Sequence, residues 1–374
     1  MPRLAPPRLA ALRLAAPRLA AVIALTCLLC LYSASAFAWG YQGHRVVGSI
    51  AAQLLNDNAR AQVQKILNEG AAPDPRHDID LRKAGPWADC VKSVERHSDG
   101  TYGYVVNPEH LEWEVPCTPF KSEAERARMV DYAARNWSNC LYLPDGPDKP
   151  PGACHNTYHF EDVAIQRDHF DRSFQGTSNH DVVAAITTAI DVLRDQSAAP
   201  PFSIKDKKEA LLLLTHFMGD LHQPLHVGAV YLDPQGGLVD PDAAHQIDPG
   251  TETAGANSIQ DENVNLHAEW DDIPFDIGLK ATSELLQSAR AVPADSAPMD
   301  GWAASWATDT LQVAREAFKD LSFGPKKDGK WPVSFGDHDH HVAYLHRMDE
   351  IKRQQLAKAG ARLAEILNTI WPEN

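Results

Sequence analysis

Five stretches of the chain repeat apolar residues three and four positions apart: 48–70, 180–196, 205–223, 302–321 and 341–371. That spacing lays an apolar stripe along an α-helix, whereas a half-buried strand needs strict alternation. Alternating runs bounded by turns are scarce. The chain is therefore expected to be all-α, a single mainly helical domain. Residues 97–156, with Pro, Gly and three cysteines, and 228–260, rich in Gly, Pro and Asp, read as long loops of that domain. Loops of this length are more often functional than idle. No fixed-period repeat or low-complexity linker divides the chain.

The first 38 residues read as a secretion leader. Arg3, Arg8, Arg13 and Arg18 precede the apolar core "LAAVIALTCLLCLY", and Ala36-Phe37-Ala38 supplies the small-x-small cleavage pattern, placing the cut before Trp39. The apolar run is short for a membrane span of roughly 20 residues. A protein secreted or periplasmic after cleavage is expected, with residues 39–374 as its domain, no membrane insertion, and nothing that demands more than a monomer.

Cleavage removes four arginines and no acids, taking the formal charge from −15 to −19. Binding nucleic acid through a basic surface draws its affinity from Lys and Arg, so such a balance argues against a passive binder. It suits a site whose positive charge is carried by metal. Cys90, Cys117, Cys140 and Cys154 remain after cleavage. In an exported chain they predict two disulfides with three possible pairings. The absence of a CxxC pair argues against zinc-thiolate chemistry.

The chemistry is concentrated in "THFMGDLHQPLHVG". His216 and Asp220, four apart on an apolar helix, leave from one face about a turn apart. Pro224 is expected to end or kink that helix, turning His226 toward the same space. His267 and Asp271 in "NLHAEWDD" repeat the four-residue spacing. Imidazole and carboxylate are the donors zinc accepts where thiolate is missing. One such pair is an ordinary surface contact; two, on apolar helices whose buried polar groups need partners, point to metal.

With Trp39 and His44 in "WGYQGH", "WADCVK" at 87–92 and "YHFEDV" at 158–163, these segments resemble the trinuclear-zinc, single-strand-specific nucleases of the S1/P1 type, which share the zinc phospholipase C fold. The resemblance implies three zinc ions. It implies that the freed amine and carbonyl of Trp39 bind one ion with His44 and Asp220, and that Asp220 bridges to a second held by Asp89, His159 and His216. His226, His267 and Asp271 would hold the third. It further implies hydrolysis of single-stranded DNA and RNA to 5′-phosphorylated nucleotides, and removal of 3′-phosphates. Asp89 would orient the attacking water, and Lys92 would neutralise phosphate charge. Phe160 and Asp162 would stack on a base and bond its edge, with Asn257 a further base contact.

Some assignments stay open. The separation of 70 positions from Asp89 to His159 leaves His155 as a nearby competitor, with His97 and His110 also available. The Phe and Asp that follow His159 favour it. Since Cys90 adjoins Asp89 and Cys154 precedes His159, pairing of Cys90 with Cys154 and of Cys117 with Cys140 is expected. "DHDHH" at 337–341 reads as a solvated helix start capped by Asp337. Asn136-Trp137-Ser138 is a glycosylation sequon. A zinc phospholipase C acting on lipid head groups would share the fold and ligand pattern. A non-catalytic zinc-binding protein would need neither Lys92 nor an open metal position.

Overall fold

In the computed structural model, residues 39–69, 78–140 and 153–373 are described. The leader lies outside them. The first predicted helix is two: α1 (Tyr41–Leu54) and α2 (Asp57–Leu67) meet at extended Leu55 and Asn56. Asn56 ends the continuity because its side chain accepts the Ala59 N–H at 2.7 Å and so caps a new helix. Two short helices follow, α3 (Leu81–Ala84) and α4 (Trp87–Val91).

Residues 97–156 are less irregular than expected. Helix α5 (Glu123–Arg135) lies within them, capped by Ser122 and burying Met129, Tyr132 and Ala133. Tertiary contact fixes it: Arg135 Nη2 grips both carboxylate oxygens of fully buried Glu209 at 2.8 and 2.9 Å, and Lys208 Nζ meets Glu125 Oε1 at 2.5 Å.

Glu209 belongs to α7 (Lys207–Asp220), which follows α6 (Val182–Leu193). Every α7 residue from Lys208 to Asp220 is buried. The helix packs against α1, α2, α3, α4, α6 and the long C-terminal helix α12 (His338–Ile370). It is the centre of the bundle, so its polar residues must find partners inside the protein.

The 228–260 segment is loop-like as expected, broken by two-residue strands and α8 (Pro241–Ala244). It rests on a second apolar cluster with Trp270, Trp331 and Tyr344 beneath it. Helices α9 (Leu266–Asp271), α10 (Ser283–Arg290) and α11 (Trp302–Ala317) complete the chain before α12. Parallel pairing of Val163 with Gly228 ties the segment after His159 to the one after His226. No strand exceeds four residues among those described, and no described helix is long and apolar enough to cross a membrane.

The disulfides are Cys90–Cys117 and Cys140–Cys154, which overturns the expected pairing. The antiparallel hairpin of Val94–Arg96 with Tyr102–Tyr104 turns the chain back, so that Cys117 reaches α4. Cys154 and His155 donate their N–H groups to Trp137 and Asn136 carbonyls, which holds Cys154 beside the end of α5 and Cys140. Asn136 of the sequon is fully buried, its Nδ2 donating to Tyr132 and Ser203 carbonyls. The folded chain therefore offers no side chain there for a glycan.

Asp337 caps α12 through the His340 N–H at 3.0 Å, as the sequence predicts.

Candidate metal centre

Six separate segments converge at the C-terminal end of α7. His216 and Asp220 project from it one turn apart, with Nε2 3.2 Å from Oδ2. The helix ends as expected before Pro224, and a single tight turn (Pro224–His226) brings His226 back. Helix α4 supplies Asp89, and the turn Cys154–His159 supplies His159 at its last position. Helix α9 supplies His267 and Asp271. Helix α1 supplies His44, stacked on His216 with ring centroids 3.8 Å apart.

That stacking needs Gly219, because a Cβ there would lie 2.6 Å from His44 Nδ1. Trp39 is fully buried, and the Gly40 N–H donates to the Asp271 carbonyl at 2.9 Å, laying the start of the described chain against α9.

Three groups of buried donors result: His44, Asp89 and His216; His159, His216 and Asp220; His226, His267 and Asp271. Asp220 reaches in two directions, with Oδ2 2.9 Å from His159 Nδ1 and Oδ1 3.4 Å from His44 Nε2. His155, His97 and His110 go elsewhere. His155 packs near Tyr132 and Trp137, His97 lies over Gly103, and His110 stacks on Trp113.

Backbone carbonyls decide which ring nitrogens are free. A carbonyl only accepts, so His216 Nδ1 donates to Gly85 O at 2.7 Å, His226 Nδ1 to His159 O at 2.8 Å and His267 Nδ1 to Gly255 O at 2.5 Å. In the neutral rings Nε2 is then a lone pair. His226 Nε2 and His267 Nε2 face each other at 3.2 Å, and Asp271 Oδ2, buried without a hydrogen-bond partner, lies 3.4 Å from His267 Nε2. These lone pairs repel unless a cation lies among them.

Donors held about 2.0–2.2 Å from a tetrahedral ion stand about 3.3–3.6 Å apart, close to the separations seen. Asp89 Oδ2 and Asp220 Oδ1 are likewise buried without hydrogen bonds. The residues fit metal.

Protonation follows. Burial, then the charge of Lys92, holds His159 at about 3; burial, then His226, does the same for His267. For His216, burial works downward, but Asp220 and Asp89 overcome it and raise the ring above its ordinary value. Burial would raise Asp89, yet Lys92 and the histidines hold it at about 2.

A cleft of roughly 660 Å³ opens beside the donors, lined by Lys92, Phe160, Asp162 and Asn257 among others. Lys92 Nζ stands 2.8 Å from Asp89 Oδ1, with its side chain 26 % exposed. Phe160 is 37 % exposed in the cleft wall. Burial, then Glu252, pushes the Asp162 carboxyl up to about 7. The Asn257 side chain donates back to Ala254 O at 2.9 Å, closing its own turn at the rim.

The sequence did not flag Glu161, which is buried in the cleft wall with both carboxylate oxygens unbonded. Nor did it flag Gly85 and Gly255, whose carbonyls set the ring tautomers. Their role exists only once distant segments meet, and no local pattern announces it.

The family model for S1/P1 nucleases matches residues 39–372. The chain is 28 % identical to Endonuclease 2 of Arabidopsis thaliana, covering 91 % of this chain and 93 % of that protein. It is 24 % identical to Endonuclease 4 of the same plant, with 90 % of each covered. Against Nuclease P1 of Penicillium citrinum it is 26 % identical over 45 % of this chain and 52 % of that one. A mainly helical chain whose buried histidines and carboxylates converge beneath a cleft thus belongs to the S1/P1 nuclease family, hydrolases of phosphodiester bonds in nucleic acid.

Proposed function

We propose that residues 39–374, freed from an export leader, form a zinc-dependent nuclease that cleaves single-stranded DNA and RNA to 5′-phosphorylated nucleotides and removes 3′-phosphates from nucleotides. The observation that carries this is the set of inward-facing lone pairs at the foot of a cleft with a lysine at its edge. The chemistry of the donors, imidazole and carboxylate without thiolate, favours zinc.

Three ions would be held: by Trp39, His44 and Asp220; by Asp89, His159, His216 and Asp220; and by His226, His267 and Asp271. When bound, they supply an activated water and neutralise phosphate charge. The two-directional reach of Asp220 supports a bridging role. Asp89, ionised at neutral pH, orients the water as an acceptor.

Lys92 places its ammonium where charge develops on the phosphate. Phe160 offers a face for one base, Asp162 bonds its edge, and Asn257 lies at the same rim. A base enters such a slot only when unstacked, which favours single strands.

The test is hydrolysis by zinc-loaded mature protein of single-stranded DNA, RNA, duplex DNA and phosphatidylcholine, with and without chelator. Chelator-sensitive release of 5′-nucleotides from single strands is expected. Cleavage of lipid alone would keep the centre and overturn the substrate. One extra residue before Trp39 converts its amine to an amide and should lower zinc content and rate together.

A further inference from the structure

Gln223 is fully buried between the end of α7 and α9, and each of its polar groups is committed. Its backbone N–H donates to Asp220 O at 3.0 Å, and its carbonyl accepts the His226 N–H at 3.0 Å. The side-chain Oε1 accepts the Leu225 N–H at 2.5 Å, capping the turn that carries His226. Since Leu225 can only donate there, the amide has one orientation, and Nε2 must face Asp271. It donates to Asp271 Oδ1 at 2.8 Å. With Oδ1 engaged, Oδ2 is the oxygen left pointing to His267.

We infer that Gln223 is a positioning residue that sets His226 and Asp271 in register for one shared ion. This rests on the reading that His226, His267 and Asp271 hold metal. One amide couples a ligand just after α7 to another on α9, 48 residues apart from it in sequence. A glutamate would keep the shape and the bond to Leu225 but would set acceptor against acceptor at Asp271. A methionine would keep the volume and lose both bonds. Partners that orient a ligand in this way typically cost 10- to 100-fold in metal affinity when removed.

The experiment compares wild type, Gln223→Glu and Gln223→Met as full mature chains in three readouts. These are zinc retained per chain against increasing chelator, the visible spectrum after cobalt substitution, and thermal unfolding of the metal-free protein. In both variants one ion should leave at roughly 10- to 100-fold lower chelator. One component of the cobalt spectrum should shift, and the remaining ions should hold as in wild type.

Unchanged zinc retention and an unchanged cobalt spectrum would overturn the inference. So would lowered metal-free stability with zinc affinity intact, the mark of a purely structural amide. If Gln223→Glu does not fold, Gln223→Met decides the matter alone. His267→Ala separates the two claims: a variant with the same zinc count as wild type would sink the metal assignment itself, not the positioning argument built on it.

Discussion

His226 and His267 present their Nε2 atoms to each other at 3.2 Å, each ring pinned by a backbone carbonyl on its far side. Neither ring can turn to donate without abandoning a buried carbonyl. Filling this site should therefore stabilise the fold. Zinc at 100 times the dissociation constant contributes about 2.7 kcal/mol per site. Scanning unfolding with chelator, then with zinc restored, should show a lower and then recovered Tm. Equal midpoints would remove the metal from this position.

Gly219→Ala should displace His44, since the new methyl carbon would lie 2.6 Å from its ring nitrogen while α7 itself tolerates alanine well. Zinc stoichiometry by elemental analysis should fall in a protein whose far-UV dichroism is unchanged. Full zinc content would show that His44 can stand elsewhere and still serve.

Lys92→Met should lower kcat by about 10²–10³, the usual loss for one donor at a developing charge, with zinc content unchanged. Steady-state kinetics on a dinucleotide would measure it. A wild-type kcat would return Lys92 to the role of a counter-charge for Asp89.

Opening Cys90–Cys117 by a double change to alanine should cost about 2–5 kcal/mol in denaturant unfolding. The bridge closes 27 residues directly behind Asp89, so zinc affinity should weaken as well. Weakened stability with wild-type affinity would uncouple the bridge from the ligand.

Burial, then Lys92, holds the His155 ring at about 3, below its ordinary 6.5. Between these values the unfolded chain binds a proton that the folded one refuses, so His155 costs stability as pH falls from 6.5 toward 3. His155→Phe should therefore gain on wild type over that window, by up to about 4 kcal/mol. Urea unfolding of metal-free protein at several pH values tests it, and a difference independent of pH would refute it.

What the sequence made legible were the features that repeat locally. The interior helix, its His216 and Asp220 and the turn to His226 follow from spacing and one proline. Helix α5 was hidden because six of the 13 residues in "EAERARMVDYAAR" are charged, and the partners that hold it, Glu209 and Lys208, lie some 80 residues away. Disulfide pairing depends on how a hairpin folds back, which four cysteine positions do not encode. Gly219 and Gln223 carry no signal until α1 and α9 are in place.

From Lys208 to Asp220, helix α7 has no outward side. A surface helix can drift in evolution by exchanging residues on its wet face, but this one has none to exchange, and even its lysine and glutamate at 208 and 209 are held by α5. Segments at the rim of the cleft such as 228–260, by contrast, rest on a separate apolar cluster and can change without repacking this helix. The architecture thus keeps the reactive centre fixed while leaving the choice of what enters the cleft open to change.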